Sequence, residues 1–463
     1  MPRSKNKKRE PFSRPRGMRD ISGDEFYKYQ GFFEKASEIA LYYGFRPIKT
    51  PMLEHKGVFV SGVGEETDII GKEMYAVRAR GGEKLALRPE GTAPIVRAYI
   101  EGGMHTLPQP VMFYYYGPFF RHDKPQRGRY REFFQFGLEV LGTQKSIADA
   151  MIIQITAIML EEAGFKNLCV LINNIGDKDC RPRYMRELIA YYRKHVNSLC
   201  ANCRQRLKTN PMRILDCKDE KCLPFKEEAP QSVSHLCEVC KQHLKEVLEY
   251  LDTMKIPYKI DHTLVRGLDY YTQTVFEIVN EEEPKEESKK EQEVASQGGG
   301  GSGAVEDKAV KENNEKEAAL LALAAGGRYD YLAKQLGSRR DVPGVGVAIG
   351  IDRVVELSPS YTLTPRIIKK PKVYFIQIGF DAKLKSLAVI EVLRKTHVPI
   401  IHSLSKDKLS AQLGSAEKMG IPYVVILGQK EALEDTVIVR DMNTRSQDTV
   451  KVEKLADYLK KKI

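Results

Sequence analysis

Three arginines, Arg121, Arg266 and Arg353, stand at the ends of apolar, β-branched runs with carboxylates or phenols close by. A guanidinium in that setting can hold two phosphate oxygens at once, which suits charge developing on a phosphate group during its transfer. Each alone has a plain structural use: Arg353 could pair within its helix, and Arg266 could bridge strands. Their joint occurrence points to a nucleotide.

Polar groups gather around each of them. The segment Arg121–Glu139 reads RHDKPQRGRYREFFQFGLE, a basic loop feeding an aromatic strand. Alternation along that strand puts Arg131, Gln135 and Glu139 on one face, and Glu132, Phe134, Phe136, Leu138 and Val140 on the other. Gly137 falls in the first row and leaves room there for something small and polar. A Pro/Gly turn in Leu87-Arg88-Pro89-Glu90-Gly91-Thr92 presents Glu90 and Thr92. In LVRGLDYY, residues 264–271, Arg266, Tyr270 and Tyr271 stand between apolar residues that read as strand. In GVGVAIGIDR, residues 344–353, a small-residue strand runs into a helix and delivers Arg353 in its first turn. Its glycines, Gly350 among them, let a flat ligand approach the backbone closely.

The elements that must position these groups follow from periodicity. VMFYYYGPFFR and YREFFQFGLEVL predict an antiparallel hairpin with a long cationic tip at HDKPQRG. Ser22-Gly23-Asp24-Glu25 fits a capping box, with apolar residues at helical spacing behind it until Gly44. Short strands and turns follow to about residue 100, and an apolar helix covers about 146–164. Strands flanked by helices without regular βαβ alternation predict an α+β domain on an antiparallel sheet. Residues 166–255 change character, with a strand (LCVLINN), a charged helix and the paired cysteines, and read as an inserted domain. From residue 372 apolar strands alternate with helices, the pattern of a separate α/β domain with a parallel core. The catalytic domain therefore divides into 1–165 and 256–365, around the insert and ahead of a last domain at 372–463. Within it, 280–320 is charged and glycine-rich, nearly free of large apolar residues, and reads as a flexible insertion.

Composition narrows the class. The 463 residues are 42% hydrophobic and 29% charged, as in a soluble globular protein. No apolar run approaches a membrane span and the start is charged without an apolar stretch, so the expectation is a cytoplasmic protein without membrane contact. The net charge of +12 suits a polyanionic partner such as nucleic acid, as does the basic N-terminal tail.

Six of the eight cysteines come in pairs: Cys200 with Cys203, Cys217 with Cys222, and Cys237 with Cys240. In a cytosolic chain such spacing favours tetrahedral zinc over disulfides. Cys200, Cys203, Cys237 and Cys240 are the first choice for one Zn2+ site, and Cys217 and Cys222 could replace either pair. Reduced spare thiols are the plainer alternative. Cys169 and Cys180 read as ordinary buried residues, and His195, His235 and His243 as surface residues.

Taken together, these motifs resemble those of the class II aminoacyl-tRNA synthetases: GFRPIKTPMLE (44–54) is similar to motif 1, the hairpin to motif 2 and GVGVAIGIDR to motif 3. LVRGLDYY and GGRYD resemble the two signatures of the histidyl-tRNA synthetase family, and the likeness runs from RGMRD at 16–20 to the last domain. The resemblance implies ATP-dependent activation of L-histidine to histidyl-adenylate, then transfer to the 3′ end of tRNA(His). It also implies Mg2+ with the ATP, a homodimer, and an anticodon-binding C-terminal domain. By it, Arg121 would hold the ATP α-phosphate, Arg353 the γ-phosphate, with Gly350 beside the nucleotide, and Arg266 would support attack by the histidine carboxylate. Glu90, Thr92, Gln135, Glu139, Tyr270 and Tyr271 would enclose the amino acid, with Glu139 and a tyrosine reading the imidazole. Gln126 and Arg131 would meet the 5′ end of the tRNA. Asp352 stands where the family commonly has glutamate, and the likeness does not extend to the cysteines. A catalytically dead relative, such as the regulatory subunit of histidine biosynthesis, is the rival; the three arginines and the last domain speak against it. A sister class IIa ligase is the other, and LVRGLDYY speaks against that.

Overall fold

The computed structural model describes residues 12–126, 128–281, 322–359, 363–366, 371–403 and 408–463. It divides into two compact units, Met1–Pro365 and Arg366–Ile463. The basic tail to residue 11 and all but the first two residues of the 280–320 segment lie outside the described residues.

The aromatic hairpin forms as its alternation predicts. Val111–Phe120 and Glu132–Leu141 pair antiparallel over their full length, with Val111 opposite Leu141 and Phe120 opposite Glu132. They belong to an eight-stranded sheet. Beyond Glu132–Leu141 come Gly344–Gly350, Ala324–Arg328, Thr272–Asn280 and Leu168–Asn174, each antiparallel to the last. Two short edge strands, Arg46–Pro47 and Tyr258–Ile260, run parallel to their neighbours.

One face of this sheet carries Phe136, Leu138 and Val140 into a core shared with helices Gly23–Tyr42, Ser146–Glu162 and Glu238–Thr253. Sealing each such side chain stabilises the fold by roughly 1.5–3 kcal/mol. The opposite face packs Phe113, Tyr115 and Leu141 with Tyr270, Tyr271 and Tyr329 in a second core. That face is the one that carries polar groups.

Several expectations change. Ser22 is the N-cap of its helix, but its side chain makes no capping bond. Glu25, which a capping box would turn back to Ser22, instead binds Arg19 at 2.6 Å. An ion pair is the stronger claim on a carboxylate than a neutral backbone N–H. Between residues 44 and 100 the expected short strands form, with Leu53–His55, Ala76–Arg78 and Lys84–Leu87 in a small antiparallel sheet, but helices Lys56–Val63 and Thr92–Glu101 stand among them. Short β-branched runs such as TAPIV cannot be told from buried helix by pattern alone. LVRGLDYY contains no strand and is a looped approach to Thr272–Asn280. Residues 166–255 are not set apart either: their first strand, Leu168–Asn174, is inside the main sheet, and Glu238–Thr253 packs on its helical face.

The second unit has a five-stranded sheet. Ile400–His402, Val373–Gln377 and Tyr423–Leu427 are parallel, and Thr436–Asp441 and Gln447–Lys451 extend it antiparallel. Helices Phe380–Lys395, Leu409–Lys418 and Leu455–Lys462 complete it. Separate cores on Val373/Phe375 and on Tyr374/Ile376 show that both faces are covered, as continuous apolar strands require.

Candidate active site

The polar face of the sheet forms the floor of a cleft of about 520 Å³, within the size range of small-molecule sites. Arg121, Arg266 and Arg353, separated by up to 232 residues in sequence (353 minus 121), all line it. Arg121 leaves the end of Val111–Phe120; its Nε donates to the Pro89 carbonyl at 2.9 Å and its guanidinium lies over the Phe133 ring. Arg353 is in helix Ile351–Leu357, its Nε on the Gly128 carbonyl at 3.2 Å and Nη1 on the Ala322 carbonyl at 2.5 Å. Arg266 is ion-paired through Nη1 with Glu277 of the strand Thr272–Asn280.

Donors remain to be used. Arg266 Nε is buried without a partner among the described residues, and so is the acceptor Gln135 Oε1 on the adjoining wall. Buried polar atoms left unpaired cost about 1–3 kcal/mol each, so two of them on residues that line one cleft point to a ligand there. Burial presses the Arg353 guanidinium down to about 10, with Arg129 next in effect and Arg121 and Arg266 behind it. Burial likewise lowers Arg121, with Arg266 adding to it. The cations repel one another, in part offset by Glu277, Glu73 and Glu90, and a polyanion would relieve them. Burial also opposes the Arg266 charge, but Glu277 and the Tyr271 and Tyr270 phenols more than offset it.

Beside the arginines is a tyrosine–carboxylate cluster. Glu90, Thr92, Gln135, Tyr270 and Tyr271 all line the cleft, as the sequence proposed. Glu90 accepts from the N–H groups of Thr92 (2.8 Å) and Ala93 (3.0 Å), so it also caps helix Thr92–Glu101, and from the Tyr270 hydroxyl at 3.2 Å. Burial pushes the Glu90 carboxyl up against those bonds.

Glu139 departs from expectation. It is fully buried and does not open onto the cleft. Thr92 Oγ1 donates to its Oε1 at 2.7 Å, and the Tyr329 hydroxyl donates to Oε2. These two hydroxyls hold the Glu139 carboxyl in place. Burial pushes its pKa up to about 8, against the two hydroxyls and with help from Glu90. The room expected beside Gly137 is filled too: a Cβ there would lie 2.2 Å from the Tyr115 ring. At Gly346 a Cβ would lie 1.8 Å from Glu139 Oε2, so that glycine makes space for a carboxylate rather than for a flat ligand. Gly350 remains open and lines the cleft.

The hairpin tip is likewise rearranged. Arg131 immediately precedes the strand; its Nε donates to the Asp123 carbonyl (3.2 Å) and its Nη1 to the Arg16 carbonyl (3.3 Å). It braces the N-terminal segment instead of lining the cleft. Gln126 is exposed and paired through the backbone with Arg129, which does line the cleft.

Sequence reasoning missed Glu277, Tyr115, Tyr329 and Arg129. Glu277 alternates with apolar neighbours in TVFEIV, a signal that was available; Tyr329 lay in the noted GGRYD. The arginine of that motif, Arg328, is wholly buried, bonded to Asp149 at 2.5 Å and Asp330 at 3.0 Å. His243 completes the network on Asp149 at 3.2 Å, so it is buried and not a surface residue. Asp352, the family departure, accepts from Arg19 (2.7 Å), Tyr29 (2.8 Å) and the Phe134 N–H (2.7 Å), clamping helix to sheet.

The cysteines fall into two groups, neither of them the first-choice set. Cys200 and Cys203 meet Cys217 and Cys222, while Cys237 and Cys240 meet Asp177 and Cys180. Cys180, expected to be ordinary, is part of the second group. Spacing identifies each pair, but which pairs meet depends on how the chain returns.

An antiparallel sheet floored by strand-borne polar groups, with a separate α/β unit after it, is the architecture of a class II aminoacyl-tRNA synthetase. Residues 17–290 match the histidyl-tRNA synthetase family and residues 372–462 an anticodon binding domain. The histidine–tRNA ligase of Desulforamulus reducens is 37% identical over 448 residues, covering 97% of this chain and 99% of that protein. That of Dehalococcoides mccartyi is 37% identical over 452 residues, 98% of this chain and 100% of its own. The apo histidyl-tRNA synthetase structure from S. aureus superposes with a TM-score of 0.72 at 27% identity, covering 97% and 99% of the two chains. The chain belongs to the histidyl-tRNA synthetase family.

Proposed function

We infer that this protein is a histidine–tRNA ligase that makes histidyl-adenylate in the cleft and transfers the histidyl group to tRNA(His). A carboxylate oxygen of histidine attacks the α-phosphorus of ATP, and pyrophosphate leaves with the electrons of the broken P–O bond. The 3′-terminal hydroxyl of the tRNA then attacks the adenylate carbonyl and AMP departs. The observation that carries this is the convergence of Arg121, Arg266 and Arg353 on one cleft, with a buried donor still unspent at Arg266 Nε.

Arg121, whose side-chain hydrogen bond among the described residues is made through Nε, offers its two terminal nitrogens to the α-phosphate. Arg353 holds the distal phosphates beside the open backbone of Gly350. Arg266, oriented by Glu277, supports the charge that builds on the phosphorus during attack. Carboxylates of Glu73 and Asp123 line the same wall as Arg121 and provide oxygen ligands of the kind magnesium takes alongside phosphates. Bound there, magnesium would neutralise phosphate charge.

For the amino acid, Glu90 and Thr92 suit the ammonium group, and Gln135 Oε1 supplies an acceptor for a ring N–H. The Thr92 hydroxyl donates to Glu139, which leaves its oxygen as an acceptor toward the cleft it lines. Histidine is the amino acid whose side chain titrates near neutrality, beside a carboxyl held at about 8. A site that spends hydrogen bonds on a ring N–H rejects side chains lacking one. Exposed Gln126 suits contact with the tRNA 5′ end. The second unit, 372–462, suits the anticodon. A homodimer in the cytoplasm is part of the same proposal; among the described residues no helix is long and apolar enough to cross a membrane.

The test is charging: a tRNA(His) transcript incubated with the protein, ATP, magnesium and labelled histidine should become acid-precipitable. Failure with tRNA(His), while another tRNA is charged, would overturn the assignment.

A further inference from the structure

Outside the cleft, the densest chemistry is the four-thiol group of Cys200, Cys203, Cys217 and Cys222. Their sulfur atoms all lie within 4.8 Å of one another, and Cys200 Sγ is 3.9 Å from Cys217 Sγ. A zinc ion bound at about 2.3 Å by four sulfurs puts them about 3.8 Å apart along each tetrahedral edge. A disulfide needs about 2.05 Å, and all four thiols are free. An iron–sulfur cluster would spread its ligands further than this group allows. Backbone N–H groups already point at the sulfurs, Cys203 N to Cys200 Sγ and Cys200 N to Cys222 Sγ, both at 3.4 Å. Such bonds orient thiolates and spread their charge, as the outer shell of a metal site does.

We propose that Cys200, Cys203, Cys217 and Cys222 bind one zinc ion, and that this ion fastens the segment between them against the wall of the active cleft. The segment comprises helix Ala201–Thr209, the turn Pro211–Ile214 and the residues to Lys218. Arg213, Asp216 and Lys218 from it line the cleft. Asn210 Nδ2 donates to Asp269 at 2.6 Å, next to Tyr270, and Arg206 pairs with Asp68, another lining residue, at 3.0 Å. Three of the four cysteines sit in the same core as Tyr270 and Tyr271. The helix at Ala201–Thr209 is too short to hold itself in place, so a cross-link between its start and residues 217–222 fixes what its own hydrogen bonds cannot. Binding takes the thiol protons into solvent, which makes affinity fall at low pH.

The second group is a weaker candidate. Asp177 Oδ1 already accepts from the N–H groups of Asp179 (2.9 Å) and Cys180 (3.0 Å). It serves as a comparison in the test.

The full-length protein, reduced and reconstituted with zinc, is passed over a desalting column and its metal content measured. At least one zinc per chain is expected. The Cys217→Ser/Cys222→Ser variant should hold one equivalent less, whereas Cys237→Ser/Cys240→Ser should keep the ion of the four-thiol group. Cobalt loading guards against a misfolded variant: the parent should show the intense visible bands of tetrahedral thiolate coordination, titrating with added zinc. Pyrophosphate exchange gives a second reading, in which zinc removal raises the KM for histidine at least several-fold and zinc restores it. No zinc in a folded parent, iron in its place, or an unchanged count in Cys217→Ser/Cys222→Ser overturns the site. Metal content is read without any catalysis, so its failure is distinct from failure of the ligase assignment. Zinc that binds as expected but leaves the KM unmoved on removal overturns the coupling to the cleft.

Discussion

Arg266, on a loop, and Glu277, on the strand Thr272–Asn280, form an ion pair beside the cleft that leaves Arg266 Nε buried and unpaired among the described residues. The carboxylate fixes the plane of the guanidinium and the free donor is what a reacting phosphate would use. Arg266→Ala should lower pyrophosphate exchange by about 100- to 1,000-fold, the range for losing one preorganised donor at developing charge. Binding of tRNA, measured by filter retention, should remain near the parent value. Glu277→Gln keeps the shape and loosens the orientation, so a loss of about tenfold in kcat with little change in the KM for ATP is expected; equal losses in both variants would mean Glu277 does more than orient.

Glu139 ties stability to pH. Its ordinary pKa is 4.5 and the folded value is about 8, so between those values the folded state holds a proton that the unfolded chain gives up. Stability from this group is therefore complete below about pH 4.5, declines as pH rises, and is at its lowest above pH 8. Glu139→Gln has no proton to lose. The melting temperature of the free variant relative to the parent should improve from pH 5.5 to pH 8.5, while histidine-dependent exchange is lost. A pH-independent difference would place the carboxyl's titration outside that window.

Tyr329→Phe removes one of the two hydroxyls that Glu139 accepts from. Glu139, still buried, would lose a partner, and the carboxyl beneath Thr92 would be held less firmly. The KM for histidine should rise about tenfold or more, with the KM for ATP unchanged, as measured in exchange assays.

Arg328 carries a prediction about stability rather than chemistry. It is sealed with Asp149, Asp330 and His243, and truncation strands two buried carboxylates. Arg328→Met should cost about 3–5 kcal/mol in urea unfolding, the usual penalty for breaking a buried pair from one side.

The sheet was legible because burial on one face imposes a period of two: the row Phe136–Leu138–Val140 enters a core, and the row Gln135–Gly137–Glu139 faces the polar side. The convergence of Arg121, Arg266 and Arg353 was legible for a related reason, since charged groups at strand ends have few uses without a ligand. What one row of side chains meets was not legible. Gly137 admits Tyr115 from the neighbouring strand, and Gly346 admits Glu139, and both encounters depend on cross-strand register. Arg131 illustrates the limit differently: its alternation was right, but the strand begins one residue later and the N-terminal segment claims it. The cysteine grouping failed on topology, because Cys180 joins Cys240 across 60 residues while Cys200 joins Cys217 across 17.

Amino-acid-dependent exchange of labelled pyrophosphate into ATP, run on the full chain with each of the twenty amino acids in turn, tests the central claim most directly. Exchange with L-histidine alone, lowered about 100- to 1,000-fold by Arg266→Ala, is the predicted result. Exchange with a different amino acid, or with none, would mean that the guanidinium groups and the tyrosine–carboxylate cluster do not form a histidine-activating site.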